Sequence, residues 1–161
     1  MDTQKILREH VVNLIRGGRA HLDFEAAVAG LPAELRGVKP PGLPHTPWRI
    51  VEHLRITQWD ILRFTIDSGH VSPEFPVGDW PEGDAPPDPG AWGRALDAFR
   101  ADFRAMTDLV ADPATNLLAP LPHAEGYTVL REALLAADHN AYHLGQLVVV
   151  RRLLGAWHDE P

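Results

Sequence analysis

TVLREALLAADHNAYHLGQLVVVRRLLG, Thr128 to Gly155, is the stretch whose reading decides the fold. Its length exceeds that of ordinary strands, and Thr128 stands before the first apolar residue as a helix N-cap. Apolar residues occupy most sides: Val129, Leu130, Ala133, Leu134, Ala137, Ala141, Leu144, Leu147 and Val148. A helix apolar nearly all round is buried on most faces. In a bundle that pattern points to a contact beyond the bundle itself, a second subunit.

Three further helical patterns precede it. From Gly90 to Ala111, Trp92, Leu96, Phe99, Phe103, Met106 and Val110 form one apolar stripe. Thr46 reads as an N-cap and Pro47 as the first position of a helix carrying Trp48, Val51, Leu54, Ile61, Leu62 and Phe64, stopped by Ser68-Gly69. Leu7, Val11, Leu14, Gly18, Leu22 and Glu25 repeat at helical steps between Thr3 and Ala29, with Gly17-Gly18 as a place for a kink or close packing. Gly30, Leu31 and Pro32 end that element.

The connections are rich in proline. GVKPPGLPH, Gly37 to His45, cannot be helical, and a second such loop runs from Asp112 to Gly126. The long segment Gly69 to Pro89 reads either as a lid or binding loop or as a packed surface or partner contact, and its Trp80 must bury a large ring somewhere. Four long helical patterns with little strand alternation predict an all-α protein, an up-down-up-down four-helix bundle, as a single domain over residues 1–161.

Composition narrows the chemistry. The chain has 161 residues, 45% hydrophobic and 23% charged, enough for a packed core. A net charge of −7 without a basic stripe argues against nucleic acid. With no cysteine, disulfides and thiolate ligands are excluded. The charged, amphipathic N-terminus does not read as a signal peptide and no run of 18 apolar residues exists, so the expectation is a cytoplasmic protein without a membrane span.

Nine histidines are many for this length. His10, His70 and His158 read as surface residues, and His45 and His123, at loop ends, as surface or the mouth of a pocket. His139 and His143 in DHNAYHLGQ are four apart and share a helix face, which Gln146 joins. The pair reads either as two hydrogen-bonded histidines or as two metal ligands. Asn140 stands where the zinc-protease helix carries a glutamate, so that activity is not indicated. Both lie mid-helix in the most apolar helix, where bare imidazoles cost stability. A metal with a third ligand from another helix would satisfy them, and His53 is the best candidate, its alternative being a hydrogen-bonded core histidine.

The stretches HTPWRIVEHLRITQWDIL (His45 to Leu62) and LREALLAADHNAYHLGQLVVVRRLLG (Leu130 to Gly155) resemble the DinB family, small bacterial bundle proteins related to the YfiT type. The resemblance covers nearly the whole chain. It is most specific at the histidine early in the second helix and at the His-x3-His-x-Gly-Gln run of the fourth. It implies a divalent metal, zinc or nickel first and iron or manganese as alternatives, on His53, His139 and His143. Three protein ligands leave a position for water or substrate. Some proteins of this fold are thiol-dependent transferases and isomerases. The resemblance therefore implies a metal-dependent transferase or hydrolase acting on a small molecule, with a low-molecular-weight thiol as candidate cosubstrate. The alternatives are a non-catalytic metal-binding bundle for stress response or sensing, and an interaction bundle without metal. A homodimer is expected under each.

Around the ligands, Gln146 is a candidate to orient a metal-bound water or a substrate. Asp60, seven after His53, is a candidate to bond a ligand imidazole or to pair with an arginine. His21 and Glu25 are a surface pair or an additional pocket group. A polar, accessible cavity beside the metal would favour an enzyme; a metal sealed beneath Trp and Leu side chains would favour a structural role.

Overall fold

The structure is a computed structural model and describes residues 2–157. His158, expected at the surface, lies outside the described residues. The helices are α1 (Thr3–Arg16), α2 (Phe24–Val28), α3 (Pro47–Ile66), α4 (Ala91–Ala111) and α5 (Val129–Leu153). Among the described residues no helix is long and apolar enough to cross a membrane.

The caps foreseen from sequence are in place. The Thr46 hydroxyl accepts from Arg49 N–H at 3.2 Å and donates to the Asp84 carbonyl at 2.6 Å, tying the start of α3 to the long loop. Thr128 accepts from Arg131 N–H at 3.1 Å and opens α5.

The first helix departs from expectation: it is broken, not kinked. Gly17 and Gly18 take φ of 67° and 74°, left-handed values that end a right-handed helix and that glycine adopts without a Cβ clash. Asp23 then accepts from Ala26 N–H and starts α2 afresh. The second proline-marked connection also holds structure not foreseen, a short antiparallel hairpin of β1 (Pro120–Leu121) and β2 (Ala124–Thr128). It sets Leu121 into the core.

The up-down-up-down order is corrected to up-down-down-up. Two core clusters define the ends of the bundle. One gathers Trp48, Val51 and Leu54 from the start of α3, Trp92 and Phe99 from the start of α4, and Leu144 and Leu147 from late α5. The other gathers Ile61 and Leu62 from the end of α3, Met106 and Val110 from the end of α4, and Val129 and Ala133 from the start of α5. Thus α3 and α4 are parallel and α5 runs against both. In α1, Arg8 donates to the carbonyls of Val110 and Thr115, and Arg16 and Gly17 reach the level of Phe99, so α1 runs against α4. Both α1 and α3 pack on α4 and α5.

The cause is the connection between α3 and α4. Short loops force successive helices to be antiparallel, whereas an extended segment of this length outspans α3, about 30 Å long at 1.5 Å per residue. It runs back along α3 and brings Asp79, Trp80 and Asp84 to the end where α3 begins.

Candidate metal centre

Helical geometry assembles the centre. His139 and His143 are one turn apart on α5, and His53, from the second turn of α3, faces them across the antiparallel α3–α5 seam. The Nε2 atoms of His53 and His143 are 3.1 Å apart and those of His53 and His139 are 3.0 Å apart. Among the described residues these three form the group able to hold a metal, all their ligand atoms lying within 4.8 Å of one another.

Each ring's other nitrogen meets an oxygen. His53 Nδ1–H donates to the Asp79 carbonyl at 2.7 Å, and His143 Nδ1–H donates to Gln146 Oε1 at 2.8 Å. His139 Nδ1 faces Thr57 Oγ1 at 3.4 Å. The Thr57 hydroxyl donates to the His53 carbonyl at 2.8 Å, so its lone pairs are turned to His139. With the protons on Nδ1, the three Nε2 atoms present bare lone pairs to one another.

That donor set fits a cation. Three converging lone pairs repel, and a metal ion between them converts the repulsion into bonds. Two nitrogens bonded to a tetrahedral zinc at 2.0–2.1 Å stand about 3.3 Å apart, close to the spacings seen here. Burial reinforces the neutral state that metal binding requires. Desolvation pushes the His53 imidazole down to about 4 and His139 down to about 3. It also lowers His143, against the hydrogen bond to Gln146.

The long loop forms a wall of the site. The Trp80 ring stacks on His53 at 3.8 Å and 2° and also on His45 at 4.0 Å. His53 and His143 are 5% and 7% exposed, so the imidazoles are sheltered, with His139 somewhat more open. Next to His139, the buried Asn140 donates to Gln58 Oε1 at 2.8 Å and links α5 to α3 below the three histidines.

The other sequence candidates sort as follows. Gln146 is in contact with His143, as an acceptor that fixes its ring. Asp60 meets neither an imidazole of the three-histidine group nor an arginine; it pairs with His70 Nε2 at 2.6 Å. His70, expected at the surface, has a side chain only 8% exposed, held between that carboxylate and the edge of Trp59. His21 is exposed and bonds the Leu22 carbonyl, while Glu25 pairs with Arg100 across to α4. His10 and His123 are exposed, the latter bonding the Phe64 carbonyl.

Sequence reading missed the Asp79 carbonyl, Thr57 and the stacking role of Trp80. A main-chain carbonyl carries no residue-type signal, and Thr57 shows one only after the site is known, being four after His53. Trp80, a large aromatic in a proline-rich loop, was the visible clue.

A family model described as the DinB superfamily matches residues 18–147, a span that includes all three histidines. No curated protein and no solved structure matches the chain.

Proposed function

The chain belongs to the DinB superfamily, and on that premise we propose that it is a metal-dependent transferase or hydrolase acting on a small molecule, with a low-molecular-weight thiol as candidate cosubstrate. The observation that carries this reading is the orientation of the three histidines. All three Nε2 atoms converge while each Nδ1 rests on an oxygen. Such a site uses three protein ligands and leaves a coordination position for a water, a thiolate or a substrate oxygen. Zinc or nickel is the proposed ion, iron or manganese the alternatives. When bound, the ion supplies Lewis acidity and lowers the pKa of a water or thiol placed on it.

The chain's own groups perform the orientation. The Asp79 carbonyl and Gln146 hold the protons of His53 and His143 on Nδ1, and Trp80 covers one face of His53. Trp80 and the low exposure of His53 and His143 favour a second reading, a non-catalytic metal-binding bundle for stress response or sensing. A homodimer belongs to both readings. Leu135, Tyr142, Val149 and Leu153, exposed on α5, support it.

Elemental analysis of untagged protein tests the metal. The expectation is about one ion per chain, lost in folded His53→Ala, His139→Ala and His143→Ala variants. Wild type that carries no metal and takes up neither zinc nor nickel overturns both readings. Turnover of thiol-transfer or ester and amide hydrolysis substrates by the loaded protein, absent in the variants, separates the enzyme from the metal-binding bundle.

A further inference from the structure

We propose that an apolar cleft beside the three histidines receives an aryl or branched alkyl group of the substrate, with Gly145 keeping the cleft open and His45 donating a hydrogen bond to an acceptor on that substrate. This rests on the reading of the histidine centre as one that acts on a small molecule, and it gives the substrate a chemical class.

The cleft lies between the segment leading into α3 and the later part of α5. Pro44, Ile50, Gly145 and Val149 line it, and its volume is about 280 Å³. Two further wall residues join it to the histidine centre. Gln146 lines the cleft and accepts from His143 Nδ1 at 2.8 Å. His45 lines it as well and stacks at 4.0 Å on Trp80, whose ring stacks in turn on His53 at 3.8 Å. A molecule seated in the cleft therefore lies against groups that hold two of the three histidines. An apolar cavity of about 150 Å³ accommodates benzene, so this space suits an aromatic ring with a short substituent, or a branched alkyl group.

Gly145 accounts for the opening. It belongs to the His-x3-His-x-Gly-Gln run, whose two histidines and glutamine have their places in the centre while the glycine has none. Inside a helix glycine costs stability relative to alanine. Gly145 is not among the glycines with positive φ, and a β-carbon added there would meet nothing within 4 Å. Neither backbone conformation nor packing within the chain calls for glycine at this position. What the missing side chain leaves is room in the cleft.

An apolar pocket orients its ligand through a few placed polar groups. His45 supplies one. Its Nδ1 is buried without a hydrogen-bond partner. Burial, together with the charges of Arg49 and Lys39, lowers its pKa and keeps the ring neutral at pH 7. A neutral imidazole carries one proton, and on Nδ1 that proton would be a buried, unpaired N–H. The proton therefore belongs on Nε2, which is left to donate to a carbonyl or ether oxygen of the bound molecule.

Acetophenone, an aryl group with a carbonyl acceptor, tests the cleft in metal-free protein by amide chemical shifts. Saturable shifts are expected at Gly145 and Val149, with a Kd on the order of millimolar for so small a ligand. Gly145→Leu fills the cleft at an exposed helical position and should weaken binding at least about tenfold. His45→Phe keeps a ring on Trp80 but removes the donor. It should weaken acetophenone about three- to tenfold and leave ethylbenzene, which lacks the acceptor, unchanged. Circular dichroism verifies that both variants fold. Acetophenone that shifts neither amide, or that binds Gly145→Leu as it binds wild type, overturns the cleft. Unchanged acetophenone affinity in His45→Phe overturns the donor.

Cobalt-loaded protein tests the link to the metal. Benzyl mercaptan, followed by its thiolate-to-cobalt charge-transfer band, should bind wild type at least about tenfold more tightly than ethanethiol, and Gly145→Leu should lose that preference. Equal affinity for the two thiols in wild type overturns the cleft as a substrate subsite and leaves the metal centre standing. Protein that takes up no metal, or gives no band with either thiol, counts against the function reading instead, and the acetophenone titration then decides the cleft by itself.

Discussion

Nε2 of His53 and Nε2 of His143 lie 3.1 Å apart, although the residues are 90 positions apart in sequence and each ring already donates its Nδ1 proton to an oxygen. Two imidazoles arranged in this way have no proton left to share between them. The close approach suits a cation, and what maintains it is the pair of acceptors behind the rings, Gln146 and the Asp79 carbonyl.

Gln146 is therefore expected to control metal affinity without touching the metal. Gln146→Leu removes the acceptor from His143 Nδ1, freeing the ring to turn or change tautomer. Zinc affinity, measured by competition with a chromophoric chelator, should fall by about 10- to 100-fold, the usual effect of losing a group that orients a ligand. Gln146→Glu keeps an acceptor and should retain most of the affinity. Equal affinities in wild type and Gln146→Leu would remove this role.

Trp80 should govern how long the metal stays. Its ring covers His53 and holds the loop whose next residue back, Asp79, fixes the His53 proton. In Trp80→Ala the transfer of zinc to excess chelator should be at least about tenfold faster, again on the scale of an orienting group. Trp80→Phe, which keeps a stacking ring, should remain close to wild type. Stopped-flow transfer rates on the three proteins distinguish a covering ring from a passive surface residue.

The metal-free protein should be destabilised by acid. In the unfolded chain the imidazoles titrate near about 6.5. Burial in the fold depresses His53 to about 4 and His139 to about 3. Between those limits the unfolded state binds more protons, so stability rises with pH. The contribution is complete above about pH 6.5 and is lost as pH falls through about 4. For His53 alone the change is on the order of 3 kcal/mol. Urea denaturation with chelator present, from pH 7.5 to pH 4, should show a steeper loss in wild type than in His139→Ala.

Below the ligands, the bond from Asn140 to Gln58 is buried, with the residues 5% and 1% exposed, and Gln58 Nε2 already has no partner. Asn140→Leu leaves Gln58 Oε1 unbonded as well and should cost about 1–3 kcal/mol in thermal or chemical unfolding. The Asn140→Leu/Gln58→Leu double variant should recover most of that loss, because removing both polar partners avoids the unpaired buried group.

Much of this protein was legible in the sequence because the relevant information is local. The 3.6-residue period marked α3, α4 and α5. Thr46 and Thr128 marked two helix starts through the chemistry of their own hydroxyls. His139 and His143 shared a face because four residues make about one turn. That His53 would meet them followed from the burial of both helices and from the resemblance its surroundings carry. Periodicity could not tell that Gly17 and Gly18 would adopt left-handed φ and end α1, since glycine permits that conformation without requiring it.

The tertiary structure decided the remainder. Only the path of the loop between α3 and α4 made those helices parallel, because a segment long enough to recross the bundle leaves the direction of the next helix open. That same path brought the Asp79 carbonyl to His53, stacked Trp80 on it, and left Asp60 to His70. Every residue type offers the same carbonyl, and Asp60 shares a helix face with His53 whatever lies opposite. The sequence by itself determined which side chains can hold a metal; three-dimensional packing determined which atoms hold those side chains, because a hydrogen-bond partner is chosen by position in space and not by separation along the chain.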